Sequence, residues 1–478
     1  MSSFKQSGGA CFVSLFYEIR ERSGSVREKI KTDRSHYLFD NKALAALIVP
    51  LVVEQFLAVL VGMADSIMVA SVGEAAVSSV SLVDSIMILL VNIFGALATG
   101  GAVIAGQYLG QKKKEDACEA ANQLVWFVTI CAVIIMALMY LGKDFILNTV
   151  FGEITDEVAA YANTYLMIVT ASIPFIALYN AGAAIFRTMG NSKVSMQVSM
   201  LMNLINVVGN AILIYGFHCG TEGVAIPTLV SRMFAAIMIT ILVCNQDLTL
   251  HIKKSLRYQF DWTKVKKILY LGVPNGLESS MFQLGKVLVL SLVSTFGTYA
   301  IAANAVANAV ASFQILPGMA ISLAVTTVVS RCIGANDHEQ THYYTVKLHL
   351  LAFAATIVMV GIIILALPLI MKAYNLSSKT AVVAEQILIF HGVFAIVLWP
   401  LAFVLPTVFR AAGDVRVTML ISIVSMWLCR IVMSYVIGKY MGIGVLGVWI
   451  AMILDWVVRA VCFVWRYRSG KWKGKAAV

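Results

Sequence analysis

The sequence predicts an all-α integral membrane protein of twelve transmembrane helices, arranged as two parallel-repeat six-helix bundles around a central cleft. Three observations carry this expectation. Of the 478 residues, 60% are hydrophobic and only 13% are charged, whereas charged residues make up about a quarter of a soluble domain. The mean hydropathy is +0.85, and the apolar residues fall in blocks long enough, at about 1.5 Å per residue, to cross roughly 30 Å of hydrocarbon. The second half of the chain also repeats the first.

In order, the blocks run from 43 to 70, 76 to 105, 117 to 141, 157 to 186, 194 to 216, 222 to 244, 264 to 294, 298 to 330, 342 to 371, 380 to 409, 417 to 437 and 443 to 465. The alternating ten-residue segments of a membrane β-barrel are absent, and an open sheet leaves its backbone unsatisfied in lipid. The expected organisation is an amino-terminal cytoplasmic segment (1–42), an N-lobe of six helices (43–245), a cytoplasmic linker (246–263), a C-lobe of six helices (264–466) and a basic tail (467–478).

The formal net charge is +11, and its distribution matters more than its sign. Lys and Arg crowd the amino-terminal segment (Lys5 to Lys42), the even-numbered connections (Lys112 to Lys114, Arg187, Lys193, Lys253, Lys254, Arg257, Arg331, Arg410, Arg416) and the tail, whereas the odd-numbered connections hold only Lys143, Lys372, Lys379 and Lys439. The positive-inside rule then places both termini in the cytoplasm of a multi-pass protein of the cell membrane. The basic excess reports topology and lipid contact, not nucleic acid. The apolar stretch from Cys11 to Tyr17 is too short for a cleaved leader. Eight scattered cysteines, with no C-x-x-C pair and no clustered histidines, predict no disulfide framework, no structural metal and no cofactor.

At an offset of 224, Val49-Pro50 falls on Val273-Pro274, Glu54 on Glu278, Gly73 on Gly297 and Gly110 on Gly334. At an offset of 223, FRTMGNSKVSM (186–196) meets FRAAGDVRVTM (409–419). Six helices per repeat is an even number, so both copies have the same orientation, and transporters of this kind place their sites at the repeat interface.

A charged side chain near the bilayer centre costs roughly 2.5 to 3.5 kcal/mol, so it faces a partner or a wet cavity. Glu54, Asp65, Asp84, Glu278 and Lys286 meet this description, as do Arg232 and Arg430; Asp455 and Arg459, four apart, are expected to pair on their own helix face. Glu54 and Asp65 are eleven residues apart on one face of the first helix with Ala58, Val61 and Gly62 between them, a pattern that reads as a cation path. Glu278 follows Pro274 by four residues at a helix start, where it suits a gate or else stabilises the helix end through the dipole. Lys286 either neutralises an acid across the cleft or snorkels to the surface. The repeat partner of Asp84 is Asn308, near Asn304. Asn180, Asn203, Asn206 and Asn210 supply amides that commonly bridge helices. His391 titrates near neutral pH or is satisfied by a neighbouring carbonyl. Trp465, Tyr467 and Trp472 look like interface anchors.

These residues resemble the multidrug and toxic compound extrusion family over nearly the whole length after residue 43. The resemblance rests on Pro50, Asp65 and Gly73, on GQYLG (106–110), FRTMGNSK (186–193), NVVGNAILIYG (206–216), VPNGLE (273–278) and GVWIA (447–451). It implies an antiporter that exports organic cations by alternating access against inward Na+ or H+; separately, no enzymatic chemistry is expected, and the chain is expected to act as a monomer. Asp65 resembles the first-helix coupling acid, where a transient Na+ would sit. Glu278 resembles the seventh-helix acid, one turn early, and Asn206 a fifth-helix polar position. Asn210 stands where some relatives have aspartate, and nothing near Trp399 matches a tenth-helix acid. The set of cation-coupling and substrate-binding candidates is therefore Glu54, Asp65, Asp84, Asn180, Asn206, Glu278, Lys286, Asn308 and His391.

The major facilitator architecture is disfavoured because its G-x-x-x-D-R-x-G-R-R loop is missing after the second helix. A lipid-linked precursor flippase of the same superfamily would need a strongly basic cleft. A membrane-embedded transferase would need grouped catalytic residues on loops, and neither a P-loop nor an H-E-x-x-H helix is present.

Overall fold

The computed structural model describes residues 37–152, 154–254, 259–374 and 376–478. The basic residues up to Arg34, Cys11 and Arg257 lie outside that range. The chain divides into two units, 1–41 and 42–478; the second holds the membrane spans.

Among the described residues, eleven helices are long and apolar enough to cross a membrane, and a bent pair counted as one span makes a twelfth. They are α1 (Asn41–Ala70), α2 (Glu74–Gly110), α3 (Lys114–Leu141), α4 (Asp156–Thr170 with Ile173–Thr188), α5 (Ser192–Gly216), α6 (Glu222–Val243), α7 (Trp262–Ser294), α8 (Thr298–Gly334), α9 (His338–Ala373), α10 (Ser378–Ala411), α11 (Val415–Tyr440) and α12 (Val445–Arg468). The expected unbroken block from 157 to 186 is two helices that bend by 44°. Pro174 opens the second of them, where its missing amide does no harm in the first turn but cannot continue the preceding helix. Glu278, placed at a helix start by the sequence, instead stands well inside α7, which begins at Trp262 and carries Pro274 in its interior. The dipole reading of Glu278 therefore fails, because the charge of a helix end is felt only in the first turn.

The repeat is visible in the backbone. Gly73 and Gly297 precede α2 and α8 with φ of 140° and 99°, a region in which a side chain is strained. Both helices end in a turn that places Lys112 and Asn336 at φ 62° and 54°. Asp261 starts α7 by accepting from the amides of Thr263 and Lys264 at 2.9 and 3.3 Å. Slight burial pushes its carboxyl up, but those amides and the Lys264 ammonium outweigh it and hold the group below the usual carboxylate range. The cap is thus charged throughout the neutral range.

Outward-facing aliphatics line one stripe of α3 (Ile134, Leu138, Leu141) and one of the repeat-related α9 (Val358, Ile362, Leu365). At 54% to 85% exposure, such stripes are stable only against lipid. Where the two lobes meet, α2 packs against α7 and α8. The contact is backbone to backbone: a Cβ on Gly100 would lie 2.9 Å from the Gly272 nitrogen and the Ile268 oxygen, and one on Gly110 or Gly334 would strike the backbone of Arg331 or Gln107. These contacts sit towards the ends of α2 and α8 and the start of α7, on the face that carries the basic even-numbered connections. Trp472, expected as an interface anchor, is instead 1% exposed and stacks on Tyr467 at 5.4 Å. Beyond it the tail is tied to both lobes: Lys475 pairs with Asp414 at 2.8 Å, and the Ala477 amide donates to Gln107 at 3.0 Å.

Candidate functional site

The N-lobe gathers its polar residues from five helices. Asp65 of α1 accepts from the Asn210 amide of α5 at 2.8 Å. Asn206, one turn before Asn210, contributes as well. With its nitrogen turned to Asp65 it donates at 3.0 and 3.3 Å, and its oxygen meets the Thr228 hydroxyl of α6 at 3.1 Å. Asp84 of α2 accepts from Tyr165 of α4 at 3.0 Å. Arg232 of α6, within electrostatic reach of both carboxylates, donates to Ser172 at 2.8 Å, at the bend of α4. The bend is therefore part of the site, since it turns Ser172 towards α6. The Oδ1 of Asn210 is buried without a hydrogen-bond partner, beside a carboxylate held by neutral amides. Two acids and one guanidinium leave a single net negative charge. Oxygen ligands of this sort suit a hard cation or a proton.

Glu54 and Glu278 are engaged differently. Glu54 pairs with Arg187 of α4 at 3.5 Å and accepts from Ser195 at 2.9 Å. Glu278 pairs with Arg410 of α10 at 2.6 Å. Arg187 and Arg410 correspond at the offset of 223, so both lobes carry the same acid–arginine link beside a proline four residues earlier. Each acid already has a permanent opposite charge, and neither joins the Asp65 cluster. The expected path of two free acids along one face of α1 is thus a paired acid at one end and an amide-held acid at the other.

In the C-lobe a cavity of about 230 Å³ opens between α7, α10, α11 and α12, with Asn92 of α2 at its edge. Phe282, Phe403, Arg410, Arg459, Glu278 and Ser422 are among its walls. The Asp455–Arg459 pair expected on α12 is formed at 2.8 Å and fully buried. Lys286 belongs to this region, with its ammonium 5.0 Å from the Phe282 ring centre.

The remaining candidates stand apart. Asn180 is half-buried on α4, and Asn308 donates back to the Asn304 carbonyl at 2.8 Å. His391 is 3% exposed, bonds Gln314 at 2.5 Å and lies edge-on to Trp449 and Trp456, as a core histidine does. Nothing in the sequence marks Tyr165, Thr228 or Phe282 as part of a site. Tyr165 and Phe282 look like ordinary apolar-face aromatics until a partner from another helix is seen. The arginine partners of Glu54 and Glu278 recur between the halves as the acids do, but only the structure shows that they meet. Among the described residues no three His, Cys, Asp or Glu side chains gather to hold a metal.

The MatE family model matches residues 50–212 and 274–436, two stretches at the repeat offset. The chain is 27% identical over 453 residues to the uncharacterized transporter YisQ of Bacillus subtilis, covering 91% of this chain and 96% of that one. It is 25% identical over 442 residues to the probable multidrug resistance protein NorM of Thermotoga maritima, covering 91% and 94%. A solved structure of MATE in complex with MaL6 superposes with a TM-score of 0.83 at 23% identity, covering 90% of this chain and 97% of that one. With the family model spanning both halves, this chain belongs to the MatE family of membrane transporters.

Proposed function

We propose that the protein is a multidrug efflux antiporter that expels small organic compounds by alternating access, driven by one Na+ or H+ taken at Asp65. The observation that carries this reading is a membrane-depth carboxylate held by the amides of Asn210 and Asn206, next to an unpartnered amide oxygen. A carboxylate kept for stability alone gains most from a fixed opposite charge, as Glu54 and Glu278 have. Asp65 is left ready for a charge that arrives and departs. The names of relatives such as NorM support drug-like cargo. The charge distribution supports a cytoplasmic location for the basic face and both termini. The lobe contacts on that face then correspond to a state closed towards the cytoplasm, with lobes that rock about the cleft between the repeats. No bond chemistry or cofactor is involved, and one chain suffices, since each copy holds both lobes.

The test is transport by the purified protein in proteoliposomes under an imposed sodium or proton gradient. Asp65→Asn should lose gradient-driven export by at least about tenfold, the equivalent of about 1.4 kcal/mol. Export at wild-type rate by this variant, under both gradients, would remove Asp65 from the mechanism.

A further inference from the structure

The C-lobe cavity differs in chemistry from the N-lobe cluster. On α7, Glu278, Phe282 and Lys286 follow one another at intervals of four and share one face. On α11, Ser422, Met426 and Arg430 do the same. The lower members of both columns line the cavity, and the columns continue one turn further to Lys286 and Arg430. The Phe282 ring stands between three cations: the Lys286 ammonium at 5.0 Å, the Arg430 guanidinium at 5.2 Å and the Arg459 guanidinium at 5.9 Å from its centre. Arg459 also covers Phe403 at 5.3 Å.

The negative charges of this region are already matched, Glu278 by Arg410 and Asp455 by Arg459. Among the described residues, neither Lys286 nor Arg430 has a carboxylate within ion-pair distance. The walls also hold buried polar atoms without partners: the donors Arg410 Nε, the Ser422 hydroxyl and, nearby, Trp456 Nε1 outnumber the acceptors Glu278 Oε2 and Asp455 Oδ2. Two structural details mark the place further. Arg430 lies in a π-helical stretch of α11, Met426–Val432, and Phe403 in one of α10, Pro400–Val404, and such widened turns concentrate at functional sites. At the repeat offset, moreover, Phe282 and Lys286 replace Ala58 and Gly62 of α1, so the N-lobe has no copy of this arrangement.

We propose that the C-lobe cavity, together with the turn of α7 and α11 just beyond its lining, is the substrate subsite for an aromatic organic anion, whose carboxylate, sulfonate or phosphate group is held by Lys286 and Arg430 while its ring packs against Phe282 and Phe403. Cationic walls interleaved with aromatic rings recognise an acidic group and an apolar body together. An organic cation, the substrate class that the resemblance implies, would face a region where four cations (Lys286, Arg410, Arg430, Arg459) outnumber two carboxylates (Glu278, Asp455). The proposal rests on the reading of the chain as a transporter but not on coupling at Asp65, and its test needs no gradient.

The test is equilibrium binding of radiolabelled naphthalene-1-sulfonate to the full chain in phosphatidylcholine nanodiscs, with 1-naphthylmethylammonium as competitor. Wild type should bind the sulfonate, and the ammonium should not displace it. Lys286→Gln with Arg430→Gln should weaken binding by at least about tenfold, while Lys286→Arg with Arg430→Lys should retain it, which separates loss of charge from loss of fold. Including phosphatidylglycerol should leave the affinity unchanged. The proposal is overturned if the ammonium binds as tightly as the sulfonate, if the neutral double variant binds like wild type, if the charge-retaining variant loses binding along with it, or if phosphatidylglycerol displaces the probe.

Discussion

Asp65 and Glu278 are both carboxylates at membrane depth, yet their neighbours hold them differently. Glu278 meets Arg410 at 2.6 Å, and its second oxygen is buried without a partner. Removing the arginine leaves an uncompensated charge, so Arg410→Met should cost roughly 3 kcal/mol, the low end for a buried pair because both side chains keep some solvent contact. It should also lower the unfolding midpoint in detergent by several degrees. The double change Glu278→Gln with Arg410→Met should restore most of that loss, because the cost lies in the unmatched charge more than in the missing bond. If the single and double variants unfold at the same lowered temperature, the unmatched charge is not the source of the loss. No such rescue applies to Asp65, whose partners are neutral amides.

Among the elements, α2 and α8 set how closely the lobes approach. Each runs for 37 residues, about 55 Å at 1.5 Å per residue, so each extends beyond the hydrocarbon. Their glycine-bearing ends let the two backbones touch at Gly110 and Gly334. A branched side chain at Gly334 would meet the Gln107 backbone, which cannot yield as a flexible side chain does. Gly334→Val should therefore part the lobes on the basic face. The buried Cys332, two residues away, reports the change: its maleimide labelling should rise several-fold, and unchanged labelling would mean that the helices do not close that face. The broken α4 belongs at the same scale. Its bend delivers Ser172 to Arg232, so a feature that looks like a packing defect along the chain serves to orient the N-lobe cluster.

Taken as one molecule, the protein has two lobes of the same architecture and opposite polarity. At the repeat offset Asp65 corresponds to Val289, and Lys286 to Gly62. Duplication supplied the shell, and substitutions at these corresponding positions left an excess of acid in the N-lobe cluster and of base beside the C-lobe cavity. A unit cation about 5 Å from Lys286 would be repelled by roughly 3 kcal/mol at an effective dielectric constant near 20. The sign of the C-lobe therefore carries real weight in substrate choice. If cation and substrate act on one rocking equilibrium, linkage requires reciprocity. Whatever factor a saturating cation applies to substrate affinity, saturating substrate must apply the same factor to cation affinity. Equal factors in paired titrations are the expected outcome, and factors of one in both would show that the sites are uncoupled.

Hydrophobic block length and the offset of 224 determined the class, the number of crossings and the parallel repeat without any coordinates. Those features depend on lipid thickness and on local sequence, which every helix meets independently of its neighbours. The same is true of the Asp455–Arg459 pair, whose members share one helix face. Pairing across helices was decided only by the tertiary structure. Whether Glu54 was free or bound to Arg187, whether His391 faced a cleft or the core, and which cations surround Phe282 all turn on how far apart different helices stand. A spacing along one chain segment fixes a direction on its own helix and carries no distance to the next.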